Sequence, residues 1–104
     1  MAAVYFIASY DITDSDRYEC DYVPGVVETL AAVGGEVIVA SGSTRRLEGT
    51  APGHAVVVRF PSAETFSDWY DGDEYASLRR VRSETTANGT AVLANEFPGV
   101  SPNS

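Results

Sequence analysis

His54 is the only histidine in this 104-residue chain, and imidazole is the side chain best suited to proton transfer near neutral pH. A general acid or base needs a pKa near neutrality and a substrate within hydrogen-bond reach. A carboxylate such as Asp11 beside it would fix the tautomer and favour the protonated ring. We therefore predict that His54 transfers a proton and that Asp11 orients it. The alternative is that His54 only begins a strand, exposed beside a loop.

Aromatic residues at helical spacing form a second group with possible chemistry. Tyr18 and Tyr22 are one helical turn apart, so their hydroxyls could bind a carbonyl or phenol oxygen of a substrate. The alternative is that both are core residues with a polar tip. A later aromatic group is expected to pack in the core, although a pocket for a flat aromatic ligand would use the same side chains: Phe66, Trp69, Tyr70, Tyr75 and Leu78.

Charged residues near the end of the last helix and in one loop complete the candidates. Arg79, Arg80 and Arg82 precede the predicted helix C-terminus, where the helix dipole favours cations. They could pair with surface acids or bind an acidic substrate, and we predict substrate binding by Arg82. Glu48, in a polar loop over residues 42–53, is a further substrate-binding candidate and equally open to a surface role.

These residues are held by a predicted βαββαβ chain. Aromatic and β-branched runs predict strands at residues 4–12, 36–41, 54–60 and 90–97. Helical spacing predicts helices over residues 15–33 and 63–86, with a kink or an irregular first segment at Pro24-Gly25 and a weak point at Asp71–Asp73. Asn88-Gly89 predicts a turn before the last strand. Residues 1–97 form one domain in this prediction, and residues 98–104 form a flexible tail.

Two split βαβ units predict an α+β, ferredoxin-like fold with a four-stranded antiparallel sheet and both helices on one face. The other face stays uncovered, and a homodimer that pairs two sheets into an α/β barrel would cover it. The first and third strands are then central antiparallel neighbours. This places Asp11, His54, Tyr18, Glu48 and Arg82 at one rim of the sheet.

Composition limits the partners and cofactors. The net charge of −8 disfavours nucleic acid and anionic membranes, and no apolar run is long enough to span a bilayer. Cys20 is the only cysteine, so no intrachain disulfide or cysteine-based zinc site can form, and a reducing cytoplasm is the simplest location. One histidine cannot make a multi-histidine metal site, although Asp and Glu side chains could still hold a weakly bound ion. Phosphate-loop and nucleophile-elbow motifs are missing, so we expect no metal and no cofactor.

A set of short motifs occurs in order over roughly 80 residues: Tyr18, Tyr22, Gly34-Gly35, Leu47-Glu48-Gly49, Phe60-Pro61-Ser62, Trp69-Tyr70, Glu74-Tyr75, Arg79 and Arg82. Their order and spacing resemble the bacterial domain-of-unknown-function family 1330, in the dimeric α/β-barrel superfamily. Ala51 before Pro52 departs from the tryptophan that relatives often have there. The superfamily includes cofactor-independent monooxygenases, polyketide cyclases, isomerases and stress-responsive barrels. The resemblance therefore implies a dimer with one pocket per subunit.

The resulting hypothesis is a cytoplasmic homodimer that binds a small, flat, largely apolar molecule. We expect a cofactor-free isomerisation, cyclisation or oxygenation of an aromatic or polyketide-like metabolite. In this mechanism Tyr18 or Tyr22 with Arg82 fixes a substrate oxygen while His54 transfers a proton. Two alternatives stay open: a non-catalytic ligand-binding or stress-response protein, and a structural dimer with a closed pocket.

Overall fold

A four-stranded antiparallel sheet organises the described part of the chain. The computed structural model describes residues 3–50 and 53–97, so the predicted tail at 98–104 and the Ala51 departure lie outside the described residues. The elements are β1 (Val4–Ile12), α1 (Ser15–Arg17), a π-helical turn (Tyr18–Tyr22), α2 (Val23–Val33), β2 (Glu36–Ser41), β3 (His54–Phe60), α3 (Ala63–Tyr70), α4 (Asp73–Thr85) and β4 (Thr86–Asn95).

The strand order is β2-β3-β1-β4, with β1 and β3 in the centre. β1 runs antiparallel to β3, and the register places Tyr10 opposite His54 and Val4 opposite Phe60. The α+β, ferredoxin-like prediction is therefore confirmed, including its central strand pair. Because opposite residues in an antiparallel pair share one face, Tyr10 and His54 point to the same side of the sheet.

The first helical segment is irregular one turn before the predicted kink. In the π-helical turn the N–H of Val23 donates to the carbonyl of Tyr18, a five-residue step, and Tyr18 and Tyr22 are both buried. Pro24 lies in the first turn of α2, where its missing N–H removes no helical bond. The proline therefore starts a helix and does not bend one. Gly34 ends α2 with φ 79°, as the Gly-Gly pair predicts.

The second helical segment breaks at the predicted weak point, between α3 and α4. Ser62 caps α3 by accepting a hydrogen bond from the Thr65 N–H at 3.1 Å. Gly72 begins α4, and a Cβ there would lie 2.7 Å from the carbonyl oxygen of Asp68. Glycine is favoured at this position because a side chain would collide with backbone atoms in the last turn of α3.

The predicted turn at Asn88-Gly89 is wrong, because β4 runs through both residues from Thr86 to Asn95. The register of β1 against β4 shifts between Ser9 and Asp11, which is a bulge in the ladder. Asn88 has φ 58°, a left-handed conformation that asparagine adopts more readily than most residues. The residue pair that resembles a turn locally is a bulge in the sheet.

Helices cover one face of the sheet and leave the other open. Phe6, Tyr10, Val58 and Phe60 on the covered face pack with Trp69, and all are at most 5% exposed. The opposite face has an apolar centre, which we call the open face, formed by Ile7, Val39, Val57 and Val92. Ile7 is 39% and Val92 59% exposed in the single chain. No helix in the described residues has the length and apolar character needed to cross a bilayer.

Candidate functional site

A cavity of about 460 Å³, which we call the aromatic cavity, lies between α2 and the covered face of the sheet. Its volume is in the range of small-molecule sites. Most of its walls are apolar, and its polar groups come from His54, the tyrosines and Glu19. The lining residues are Phe6, Tyr10, Ile12, Tyr18, Glu19, Tyr22, Val23, Val26, Val27, Leu30, Val37, Ala40, Gly42, His54, Val56, Val58 and Trp69.

His54 lies at the beginning of β3, partly buried among aromatic rings. Its ring stacks on that of Tyr10, with centroids 5.3 Å apart, and meets the ring of Tyr18 edge-on at 5.9 Å. A Cβ added at Gly42 would lie 3.6 Å from the Nδ1 atom. Burial lowers the pKa of His54 below its ordinary value. The imidazole is therefore neutral at physiological pH and can accept a proton.

Two hydroxyl pairs fix the tyrosines around the cavity. The hydroxyls of Tyr10 and Tyr18 are hydrogen-bonded to each other at 2.5 Å, and those of Tyr22 and Tyr75 at 2.9 Å. The rings of Tyr18 and Tyr22 lie 5.1 Å apart, which connects the two pairs through ring contact. In each pair one hydroxyl donates its proton to the oxygen of the other. The second hydroxyl therefore keeps a proton that it can donate to a ligand.

Burial is the largest cause of the raised pKa of Tyr10, Tyr18, Tyr22 and Tyr75. Arg82 opposes this effect, since its positive charge lowers the pKa of each of these phenols. The effect of burial on the pKa is larger than that of Arg82, so the phenols stay protonated at neutral pH. They can donate hydrogen bonds to a carbonyl oxygen or to an oxyanion, and they cannot act as bases.

Asp11 does not orient His54. It follows Tyr10 directly in β1, so it points to the opposite face of the sheet. Its carboxylate accepts hydrogen bonds from the Gly53 N–H at 3.1 Å and from Asn88 Nδ2 at 2.9 Å. The Asn88 and Gly53 bonds lower the pKa of Asp11. The predicted pairing is corrected by the register: Asp11 ties the start of β3 to the bulge in β4.

The remaining two predicted site residues lie away from the aromatic cavity. Glu48 borders a separate depression with Ser9 and Ala55, which are on the opposite face of the sheet. Arg82 lines a third depression, between α4 and β4, and its guanidinium lies 5.6 Å from the ring centre of Tyr10. Tyr10 borders both that depression and the aromatic cavity. The structure thus brings together His54, Tyr18 and Tyr22, and it separates the other three.

A family model described as "Domain of unknown function (DUF1330)" matches residues 3–97. The chain belongs to this family. No curated protein matches it at a significant level. The family's description assigns no activity, so the chemistry of this DUF1330 chain has to be argued from its own residues.

Solved structures with low sequence identity share the fold of this DUF1330 chain. A protein of unknown function from Rhodopseudomonas palustris has 12% identity and a TM-score of 0.78, covering 92% of this chain and 83% of its own. A dimeric ferredoxin-like protein of unknown function from Thermobifida fusca has 16% identity and a TM-score of 0.55, with 88% and 89% covered. An antibiotic biosynthesis monooxygenase has 16% identity and a TM-score of 0.54, with 91% and 99% covered.

Metal binding has no support among the residues that the structure describes. No group of three or more His, Cys, Asp or Glu side chains in residues 3–50 and 53–97 could hold an ion. His54 has aromatic neighbours, and Asp11 has backbone and amide partners. The polar groups of the aromatic cavity are suited to proton transfer and oxygen binding.

Sequence reasoning missed Tyr10, and it placed Tyr75 in the core or in the wall of a pocket for a flat ligand without finding the partner of its hydroxyl. Tyr10 points to the same face of β1 as Phe6 and Ala8, whereas Asp11 points to the same face as Ser9 and Ile7. Strand alternation therefore contained the signal that Tyr10, not Asp11, shares a face with the core. For Tyr75 no local signal exists, because its hydroxyl partner Tyr22 is 53 residues away.

Proposed function

We propose that this DUF1330 protein binds a small, flat, largely apolar molecule in the aromatic cavity and catalyses a cofactor-independent reaction on it. The observation that supports the proposal most is a neutral imidazole at the edge of a largely apolar cavity, with the rings of Tyr10 and Tyr18 in contact with it. Its substrate is an aromatic or polyketide-like metabolite with an ionisable C–H or O–H group. The fold shared with an antibiotic biosynthesis monooxygenase supports this class of chemistry.

In the proposed mechanism His54 accepts a proton from a carbon or a phenol of the substrate. The electron pair of the broken bond moves onto a substrate oxygen, where a hydroxyl of Tyr18 or Tyr22 donates a hydrogen bond to the developing negative charge. Return of the proton to another atom completes an isomerisation or cyclisation. Oxygenation would follow the same first step at a CH2 group; dioxygen then oxidises the substrate anion, one oxygen atom forms the new carbonyl group, and the other leaves as water with the two hydrogens. The positive charge of Arg82 lowers the pKa of the tyrosines and so strengthens them as hydrogen-bond donors. Arg82 does not contact the substrate in this cavity.

Turnover separates this proposal from simple ligand binding. Aromatic and polyketide-like metabolites are first screened by thermal shift, and mass spectrometry then detects product from those that stabilise the protein. His54→Ala should lower turnover at least about 100-fold while the ligand still raises the melting temperature. Val26→Phe, which fills the cavity from α2, should abolish the ligand shift. Unchanged turnover in His54→Ala would refute the proposed role of the histidine.

The second candidate function is a non-catalytic protein that sequesters a metabolite. It is favoured by the hydroxyl pairs, which satisfy the tyrosines without a substrate. Within the described residues, no carboxylate contacts His54 to support it as a base. This function predicts tight binding without product, and the same affinity in His54→Ala. Tight binding by His54→Ala and wild type, with no product from either, would decide for sequestration.

We further propose that a second copy of the chain covers the open face. Support comes from the exposed apolar residues on that face and from the solved neighbours described as dimeric. Val92→Glu would put an unpaired charge into the interface and should raise the dimer dissociation constant at least about tenfold. The adjacent Leu93→Glu is the matched control, since Leu93 points to the other face. Sedimentation of the wild type as a monomer at micromolar concentration would refute the dimer.

A further inference from the structure

A depression of about 620 Å³ between α4 and β4 is distinct from the aromatic cavity. We call it the arginine groove, after Arg79, Arg80 and Arg82, which line it. Ser83 adds a hydroxyl to its walls, and Asn88 adds an amide group that also donates to Asp11 outside the groove lining. All these side-chain types can donate hydrogen bonds, and three of the five carry a full positive charge.

The charge in this groove is not neutralised by the protein. The described residues that line it include no Asp or Glu, although the whole chain has a net charge of −8. In the described part of the chain no Asp or Glu side chain lies within salt-bridge distance of Arg79, Arg80 or Arg82, whereas Arg17 and Arg59 have such partners. Three of the seven cations therefore face one depression without a counter-ion from residues 3–50 or 53–97.

Two of the three guanidiniums are held in place by aromatic rings. The Cζ atom of Arg79 lies 4.8 Å from the ring centre of Tyr70, and that of Arg82 lies 5.6 Å from the ring centre of Tyr10. Such contacts position a cation over the ring face without occupying its N–H donors with a carboxylate. A planar guanidinium fixed in this way presents its donors to an oxyanion with little loss of side-chain entropy.

Partial burial makes the missing counter-ion significant. Arg82 is half-buried beside Tyr10, and a cation taken out of water is stabilised when an anion joins it. Arginines near a helix C-terminus are also favoured by the dipole, which accounts for cations in this turn without any ligand. The dipole does not account for a half-buried guanidinium bordering a groove free of carboxylates.

We propose that the arginine groove binds the anionic group of a small molecule, a carboxylate or a phosphate. Carboxylate and phosphate oxygens both match the bidentate geometry of arginine, so the two share one recognition chemistry. The volume suits a small molecule, and the net charge of −8 opposes the long-range approach of a polyanion such as nucleic acid. The site is independent of acid–base chemistry at His54.

The test titrates the full-length protein with inorganic phosphate and, separately, with succinate at low ionic strength. Calorimetry measures affinity, and amide resonances from residues 79–90 locate the site. Arg82→Gln should weaken binding about tenfold or more, as expected when a charge-assisted bidentate contact is lost. Arg80→Gln should do the same, and because Arg80 is exposed its loss leaves the fold intact. Added salt should weaken binding as well.

Arg45→Gln is the matched control, since it removes the same charge from an exposed loop on the other side of the sheet. It should change affinity by roughly twofold at most, because distant charges are screened. Binding of phosphate alone or succinate alone supports the site and names the anion. Binding of neither, or equal losses in Arg45→Gln and Arg80→Gln, would overturn it. His54→Ala should keep the anion affinity, so failure here and failure of the proposed catalysis are separate results.

Discussion

The hydroxyl pair of Tyr22 and Tyr75 gives a sharp test of the walls of the aromatic cavity. Tyr75 is 0% exposed, and its hydroxyl bonds that of Tyr22 at 2.9 Å. Tyr22→Phe keeps the ring and leaves the Tyr75 hydroxyl buried without this partner, which should cost about 2 kcal/mol of unfolding free energy. Tyr75→Phe should cost less, about 1 kcal/mol, because Tyr22 lines the cavity and its hydroxyl can bond to water there.

The double variant distinguishes a real hydrogen bond from two independent packing losses. Removing both hydroxyls leaves no unpaired group, so the double variant should be more stable than the sum of the single losses predicts, by about 1–2 kcal/mol. Urea unfolding followed by circular dichroism and fluorescence measures all four proteins, with equal slopes required for the comparison.

A matched cycle controls for the method. Tyr5 donates its hydroxyl to Glu96 at 2.9 Å on the open-face side of β1, far from Tyr75. Tyr5→Phe combined with Tyr75→Phe should therefore be additive within about 0.5 kcal/mol. Additivity in the Tyr22–Tyr75 cycle as well, or a larger loss from Tyr75→Phe than from Tyr22→Phe, would refute the geometry from which the mechanism is argued.

Two further predictions concern pH and the helix break. Because burial lowers the pKa of His54, the unfolded chain binds its proton more readily, so stability should fall as pH drops through about 6.5 and level off below the folded pKa. His54→Gln should remove this dependence in urea titrations at several pH values, and a persistent slope would contradict the assignment. Gly72→Ala should cost about 1–3 kcal/mol, because its Cβ would meet the Asp68 carbonyl. Gly53→Ala, with no atom within 4 Å, should stay within about 0.5 kcal/mol, and equal losses would argue against the clash.

The fold was largely predictable because its strand ends are marked by local chemistry. β3 begins after a glycine and ends before Pro61, and Gly34-Gly35 separates α2 from β2, so sequence pattern and structure agree at these positions. The start of β4 was not predictable in the same way. An asparagine in the left-handed region serves a tight turn and a bulge equally well, and only pairing with Ser9 and Asp11 of β1 selects the bulge.

The location of a candidate residue could be predicted where its own element was enough to place it. It could not be predicted where the pairing of strands decides which face of the sheet a residue occupies. His54, Tyr18 and Tyr22 surround one cavity because helix spacing and strand position place each of them correctly. Asp11 was placed with His54 on the basis of distance along the rim alone. A strand reverses its side chains at every residue, so a neighbour in sequence can be on the opposite face.

Because Tyr10, and not Asp11, shares a face with His54, the chemistry available to the site changes. A carboxylate beside His54 would have raised its pKa and favoured an imidazolium, which donates a proton. Tyr10 in that position instead adds a buried, protonated ring, and His54 has its pKa lowered and stays neutral. The proposed mechanism therefore uses His54 to accept a proton from an apolar substrate and the phenols to bind the resulting oxyanion. The positive charge expected at this rim lies behind Tyr10, in the arginine groove, where it is available to a different anion.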